Sequence, residues 1–176
     1  MMKCLAWLTL SIALLLSACA SDGTIEVRKD PFVGNLRTFV LSLDGGNWNA
    51  ITVDEAEGQY TMKVRVARSG AGLNVGHPGD KGEFAVGSQV LTFENTSEVR
   101  PSTIEHPPGS FLTFWSPVYK LDRQQASAFG AGPLRGVKLT IGTETYQVEP
   151  NTERGPKFQQ NMAFLTGSAP ANVPPK

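Results

Sequence analysis

Thiols, imidazoles and net charge are what this sequence lacks. Its 176 residues include two cysteines and two histidines, and 16 Lys and Arg balance 16 Asp and Glu. Two cysteines exclude a disulfide-dense scaffold and a four-cysteine zinc site. A formal charge of zero excludes the basic footprint of a nucleic-acid binder and the charge excess of a disordered chain. There is no Gly-x-Ser-x-Gly elbow, and the histidines lack the His-x-Glu or His-x-x-x-His spacing that brings metal ligands together. No repeat of fixed period is visible. What remains is length enough for one core.

The first eighteen residues read as an address. Lys3 supplies a positive start, and the run from Leu5 to Leu16 is apolar apart from Thr9 and Ser11, about the length of a secretory h-region. It is short of the roughly 20 residues that a membrane-spanning helix needs. The run closes on Leu16-Ser17-Ala18-Cys19, which resembles the bacterial lipobox. That resemblance implies cleavage before Cys19 and attachment of diacylglycerol and fatty acyl chains to it, so membrane lipid is the first expected partner. In such lipoproteins an aspartate directly after the cysteine commonly retains the product in the inner membrane. Here Ala20 and Ser21 follow, which implies the outer membrane, facing the periplasm. Two or three acyl chains, at about 0.8 kcal/mol per buried methylene, make such anchoring effectively permanent.

Processing also changes the cysteine arithmetic. Cys4 leaves with the signal and the Cys19 thiol is consumed, so the mature chain of 158 residues has neither a free thiol nor an intrachain disulfide. Its 15 basic and 16 acidic side chains stay near neutrality. Its stability must come from burial. Residues 19–24 are expected to form a lipidated tether, about 17 to 20 Å at full extension, that keeps the domain close to the membrane.

From residue 25 to residue 166 the expectation is a single β-domain. Residues 25–29 alternate like a strand and Asp30-Pro31 stops it. Residues 36–43 place Phe39, Leu41 and Leu43 on one face, Asp44-Gly45-Gly46-Asn47 reads as a turn, and residues 48–53 return. In residues 60–68, Tyr60, Met62, Val64 and Val66 face one way and Thr61, Lys63 and Arg65 the other, as in a half-solvated antiparallel sheet. Further strands are predicted at 83–86, 89–93, 111–115, 137–141 and 145–148, the last two joined as a hairpin through Gly142-Thr143-Glu144. One short helix is predicted near 122–130, with Asp122 and Gln125 as a capping box and Gly130 as its stop. Residues 157–165 suit a helical turn or two, or a strand. Residues 167–176, with three prolines, read as a disordered tail. Short strands between glycine and proline turns predict an all-β antiparallel sandwich or partly open barrel. The chain resembles all-β exported proteins of proteobacteria in Val27-Arg28-Lys29-Asp30-Pro31-Phe32-Val33-Gly34 and in the strand, short helix and hairpin between Val118 and Val148. That resemblance implies no activity.

Candidate chemistry is sparse. His77 and His106 each precede proline and read as solvated loop residues. Residues 70–76 look like a broken glycine-rich loop, because His77-Pro78-Gly79 stands where a phosphate-binding helix should begin; a mobile loop is expected. Asp54, Glu55 and Glu57 lack the alternating oxygen ladder of a calcium loop and read as a solvated acidic turn. No metal, cofactor or catalytic residue is therefore assigned. The candidate binding residues are Trp48 and Trp115. Trp48 stands beside a glycine turn, where it either packs back onto the sheet or, if exposed, anchors a partner or enters the lipid interface. Trp115 belongs to the run from Phe111 to Tyr119, which has apolar groups on both strand faces and reads as core or as the lining of a cavity. The functional expectation is an outer-membrane-anchored lipoprotein with a non-catalytic interaction module beside a membrane-associated envelope protein. The alternative is a small-molecule or lipid carrier with an apolar cavity.

Overall fold

The computed structural model describes residues 22–32, 34–46 and 48–168. The signal segment, Cys19 and residues 169–176 lie outside the described residues. The described residues form a β-sandwich of two antiparallel sheets, with no closed barrel. The first sheet runs β1(Glu26–Asp30), β2(Gly34–Ser42), β3(Ala50–Ala56), β4(Gln59–Ser69), β8(Phe111–Trp115), β7(Ser102–Glu105). The second runs β11(Glu144–Val148), β10(Leu134–Ile141), β5(Lys81–Val86), β6(Gln89–Glu94).

β4 organises the first sheet because it is long, 11 residues, and alternates throughout. One side pairs with β3. The other is shared: β9(Val118–Leu121) pairs with its first half and β8 with its second. Ser116 and Pro117 make the break between them, and Val64 N–H still finds the Pro117 carbonyl at 3.1 Å. The expected inward set, Tyr60, Met62, Val64 and Val66, is buried. It packs with Phe39, Leu41, Ile51 and Val53 of the same sheet against Phe84, Leu139 and Ile141 of the other. Aromatic edges join the layers: Phe84 meets Tyr119 at 5.5 Å and Phe129 at 5.5 Å.

α1(Arg123–Ala128) begins at the predicted capping box, where Asp122 accepts from Gln125 N–H and the Gln125 side chain accepts from Asp122 N–H. A 3-10 turn, Phe129–Ala131, follows it, so Gly130 continues the turn and is not the expected left-handed stop; the cap residue is Phe129, in the right-handed region. Residues 154–166 resolve the helix-or-strand alternative as α2(Arg154–Thr166). Phe158, Met162 and Leu165 are all buried, and only helical spacing puts all three on one face. Gly155 lies against the Leu134 carbonyl, where a Cβ would collide, so the helix rests directly on the β10 backbone. Gly167, at φ 72°, closes α2 in the left-handed conformation and so belongs to the helix end rather than to a tail.

Four local expectations change. Regular pairing of β3 starts at Ala50, not at Trp48. Asp54 and Glu55 lie within β3, and the turn falls at Glu57 and Gly58, so Glu55 is buried rather than solvated. β7 was not foreseen: its four residues are all exposed, which leaves no alternation to read. Residues 70–76 are pinned rather than mobile. Thr113 Oγ1 donates to the Gly70 carbonyl at 2.7 Å and accepts from Gly72 N–H at 2.9 Å, and Gly76 bridges to Val99.

Candidate functional site

The two candidate tryptophans separate completely. Trp115 is 1% exposed. Its ring sits 4.8 Å from that of Tyr146, its Nε1–H donates to the Asn74 carbonyl at 2.8 Å, and residues 70–76 lie over it so closely that a Cβ on Gly72 would enter the indole. Trp115 is therefore a core residue with a satisfied N–H, not a binding surface. The described clefts, of 260–360 Å³, open at the surface and are not lined by Trp115.

Trp48 is 36% exposed and lies at the centre of an aromatic patch on the outer face of the first sheet. Its loop is fixed from both sides. Asn49 Oδ1 accepts from Ala67 N–H at 2.9 Å, Asn49 Nδ2 donates to Asp44 at 2.7 Å, and Leu43 N–H donates to the Asn49 carbonyl at 2.8 Å. Gly45, at φ 75°, turns the chain. The indole meets His106 edge-on at 5.2 Å and tilts against Phe114 at 6.0 Å. Arg65 reaches over the other aromatic partner, with its guanidinium carbon 5.9 Å from the Phe114 centroid. Alternation places Phe114 and Leu112 on this outer face, opposite the buried Thr113 and Trp115, and Ile104 stands beside Leu112 in the pairing with β7.

The loops around this patch share one end of the sandwich, and the first described residues arrive there too. Asp22 accepts from Ser42 N–H at 2.8 Å and pairs with Arg154, while its carbonyl accepts from Lys157 Nζ at 2.8 Å. Gly23 N–H donates to the Val40 carbonyl at 2.6 Å, and Asn161 Nδ2 donates to the Gly23 carbonyl at 3.0 Å. The segment expected to be a tether through residue 24 is thus docked from Asp22 onward. Leu73, 89% exposed, lies in the loop that starts at Gly70, whose N–H donates at 2.8 Å to the carbonyl of Phe111, 44% exposed, at the same end. The sequence singled out Trp48 from its turn. Alternation groups Phe111 with Trp115 as core or cavity lining, yet Phe111 is exposed, as is Leu73, because β8 begins where the loop from Gly70 leaves the sheet.

The remaining polar groups are structural. His77 is exposed, and its backbone is held by Asp80, which accepts from His77 N–H at 2.8 Å and from Gly142 N–H at 2.7 Å. Buried Asn95 donates to the His77 carbonyl at 2.9 Å and accepts from Val118 N–H at 3.0 Å. At the opposite end, Glu55 accepts from Arg37 Nε at 2.6 Å and from Gly58 N–H at 3.0 Å. Burial pushes the Glu55 carboxyl up, but these bonds and the charges of Arg37 and Arg123 outweigh it and hold it below the usual carboxylate range. Arg37 also donates to the Leu165 carbonyl at 2.9 Å and Arg123 to the Thr166 carbonyl at 3.1 Å, so two cations close the C-terminal end of α2. The Tyr119 hydroxyl is buried against Gly82 without a hydrogen-bond partner among the described residues. Burial, then the Asp80 charge, raise its pKa above the ordinary value. Among the described residues, no three of His, Cys, Asp and Glu converge as metal ligands, and no helix is long and apolar enough to cross a membrane.

The patch offers rings, apolar side chains and one imidazole, with no base aligned on a nucleophile. A surface of this composition can make apolar and aromatic contacts. The chain matches no family model, no curated protein and no solved structure.

Proposed function

We propose that the chain is an envelope lipoprotein, anchored in the outer membrane through acylated Cys19 and facing the periplasm, whose β-sandwich is a non-catalytic interaction module held beside the membrane. The observation that carries the reading is Leu16-Ser17-Ala18-Cys19 at the end of an apolar run, followed only three residues later by a docked Asp22. That spacing supports a domain that rides on the bilayer, with at most about 11 Å of extended chain between the two. The open clefts described above, and an imidazole of His106 that lies edge-on to Trp48, suit a surface that makes contacts rather than one that turns over substrate.

The test is Cys19→Ala. This variant is expected to lose incorporation of labelled fatty acid, to accumulate as the unprocessed precursor and to leave no mature chain in the outer-membrane fraction. Normal lipidation and processing of Cys19→Ala would falsify the reading.

A further inference from the structure

The anchored end carries its apolar groups in an arrangement that suits the membrane itself. Two loops and the first residue of β8 present Trp48, Leu73 and Phe111, at 36%, 89% and 44% exposure. They are tied to one another by named contacts. The Trp48 ring meets His106, His106 N–H donates to the Ser110 carbonyl at 2.9 Å within the turn that leads to Phe111, and Gly70 N–H donates to the Phe111 carbonyl. Trp48 lies in the loop that follows β2, and Ser42, the last residue of β2, is the residue that Asp22 grips. The point where the chain leaves for Cys19 is therefore adjacent to the base of the Trp48 loop.

Chain length then limits what can lie opposite these loops. With Asp22 fixed, Cys19 is within about 11 Å of it, so its acyl chains enter the bilayer at the end of the sandwich that carries these loops. A bilayer interface favours indole and phenyl rings at headgroup level with an aliphatic group beside them. Arg65 and Arg68 are offset at this end by Asp44, Glu105 and Glu144, and Arg68 is engaged with Glu144 at 2.8 Å. The contact is apolar rather than electrostatic.

We propose that Trp48, Leu73 and Phe111 form a lipid-contacting face that docks on the membrane holding Cys19 and fixes the domain's orientation, with α2 directed away from the bilayer. This rests on the anchoring reading above and adds to it which face meets lipid. It also assigns the opposite end to the periplasm. There the β1–β2 turn bears Phe32, 94% exposed, and α2 ends at Gly167.

The absence of a native thiol in the mature chain makes the test clean. Lipidated full-length protein carrying Leu73→Cys, Phe111→Cys or Phe32→Cys is reconstituted in phosphatidylethanolamine and phosphatidylglycerol vesicles. Reaction with a membrane-impermeant maleimide is compared with that in non-ionic detergent. Normalised to Phe32→Cys, labelling of Leu73→Cys and Phe111→Cys is expected to fall at least fivefold in vesicles and to recover in detergent. The fall is expected to persist in high salt. Equal ratios in vesicles and detergent overturn the lipid-facing surface while leaving the anchor intact. Protection in native outer membranes but not in pure vesicles overturns it too, and shows that a protein covers this face. If Cys19 takes up no labelled fatty acid and the protein washes off the vesicles, the anchoring reading itself fails and the orientation falls with it.

Discussion

The two ends of the sandwich are held by different physics. At the end where Asp22 docks, hydrogen bonds from Asn49, Thr113, Asn74 and Trp115 pin the loops, the Arg154–Asp22 and Arg68–Glu144 ion pairs hold the chain beside them, and apolar side chains reach into solvent above. At the other end, Arg37, Glu55 and Arg123 gather around the last turn of α2, with the Tyr60 hydroxyl donating to the Leu165 carbonyl at 3.3 Å. The α2 helix links the two over about 18 Å, from the Arg154 pair with Asp22 to the carbonyls held by Arg37 and Arg123. One end spends its polar groups on fixing loops so that apolar groups can be displayed. The other spends charge on closing a helix, and exposes Phe32 on the β1–β2 turn. A surface for adhesion needs that division, because an exposed ring binds well only when its backbone does not have to be ordered on contact.

The largest effect should come from emptying the core under the display loops. Trp115→Ala removes the ring that residues 70–76 cover, and is expected to cost about 4 kcal/mol in urea unfolding and to make those residues protease-sensitive. If the loops stay protected, they do not depend on the indole and the contrast between the ends weakens. Arg37→Ala attacks the other end. It leaves a buried Glu55 without its main partner and the Leu165 carbonyl with only the longer Tyr60 bond, so a loss of about 3 kcal/mol is expected. Membrane orientation should be unchanged in this variant if the two ends are independent.

Acid sharpens the same comparison. The Glu55 pKa is depressed in the folded state from an ordinary value of about 4.5. The folded protein therefore binds fewer protons than the unfolded chain, and stability rises with pH through that window. The contribution is fully present above about pH 4.5 and is lost as pH falls through the lower folded-state value. Glu55→Gln should flatten that acid limb, as measured by urea midpoints between pH 3 and 6, whereas Trp115→Ala should leave its slope intact. The smallest stability effect is expected for Trp48→Ala. It loses ring contacts with His106 and Phe114 that are worth about 1 kcal/mol or less. A loss near that of Trp115→Ala would make Trp48 a structural residue and end its claim to a display role.

The sandwich was legible because its strands alternate. Tyr60, Met62, Val64 and Val66 announce an inward face, and Asp122 with Gln125 announces a helix start, since both signals are local. What stayed hidden depends on distant residues. Glu55 reads as a solvated acid until Arg37, 18 positions earlier, is placed opposite it. Residues 70–76 read as mobile until Thr113 supplies both hydrogen bonds, 41 and 43 positions away. Trp48 and Trp115 could not be told apart by composition. One sits where Asn49 has turned the chain out of the ladder, and the other where β8 passes beneath a glycine that leaves room for its ring.

The docking of Asp22 and Gly23 also decides how the domain carries a load. The two residues continue the line of β1 alongside β2, and β1 then runs away from that end of the sandwich through five paired positions, from Glu26 opposite Thr38 to Asp30 opposite Gly34. Tension applied through the N-terminus acts along that strand, at right angles to its hydrogen bonds. The bonds are strained together in shear rather than opened one after another. A domain tugged by its anchor would slide as a unit before it peeled.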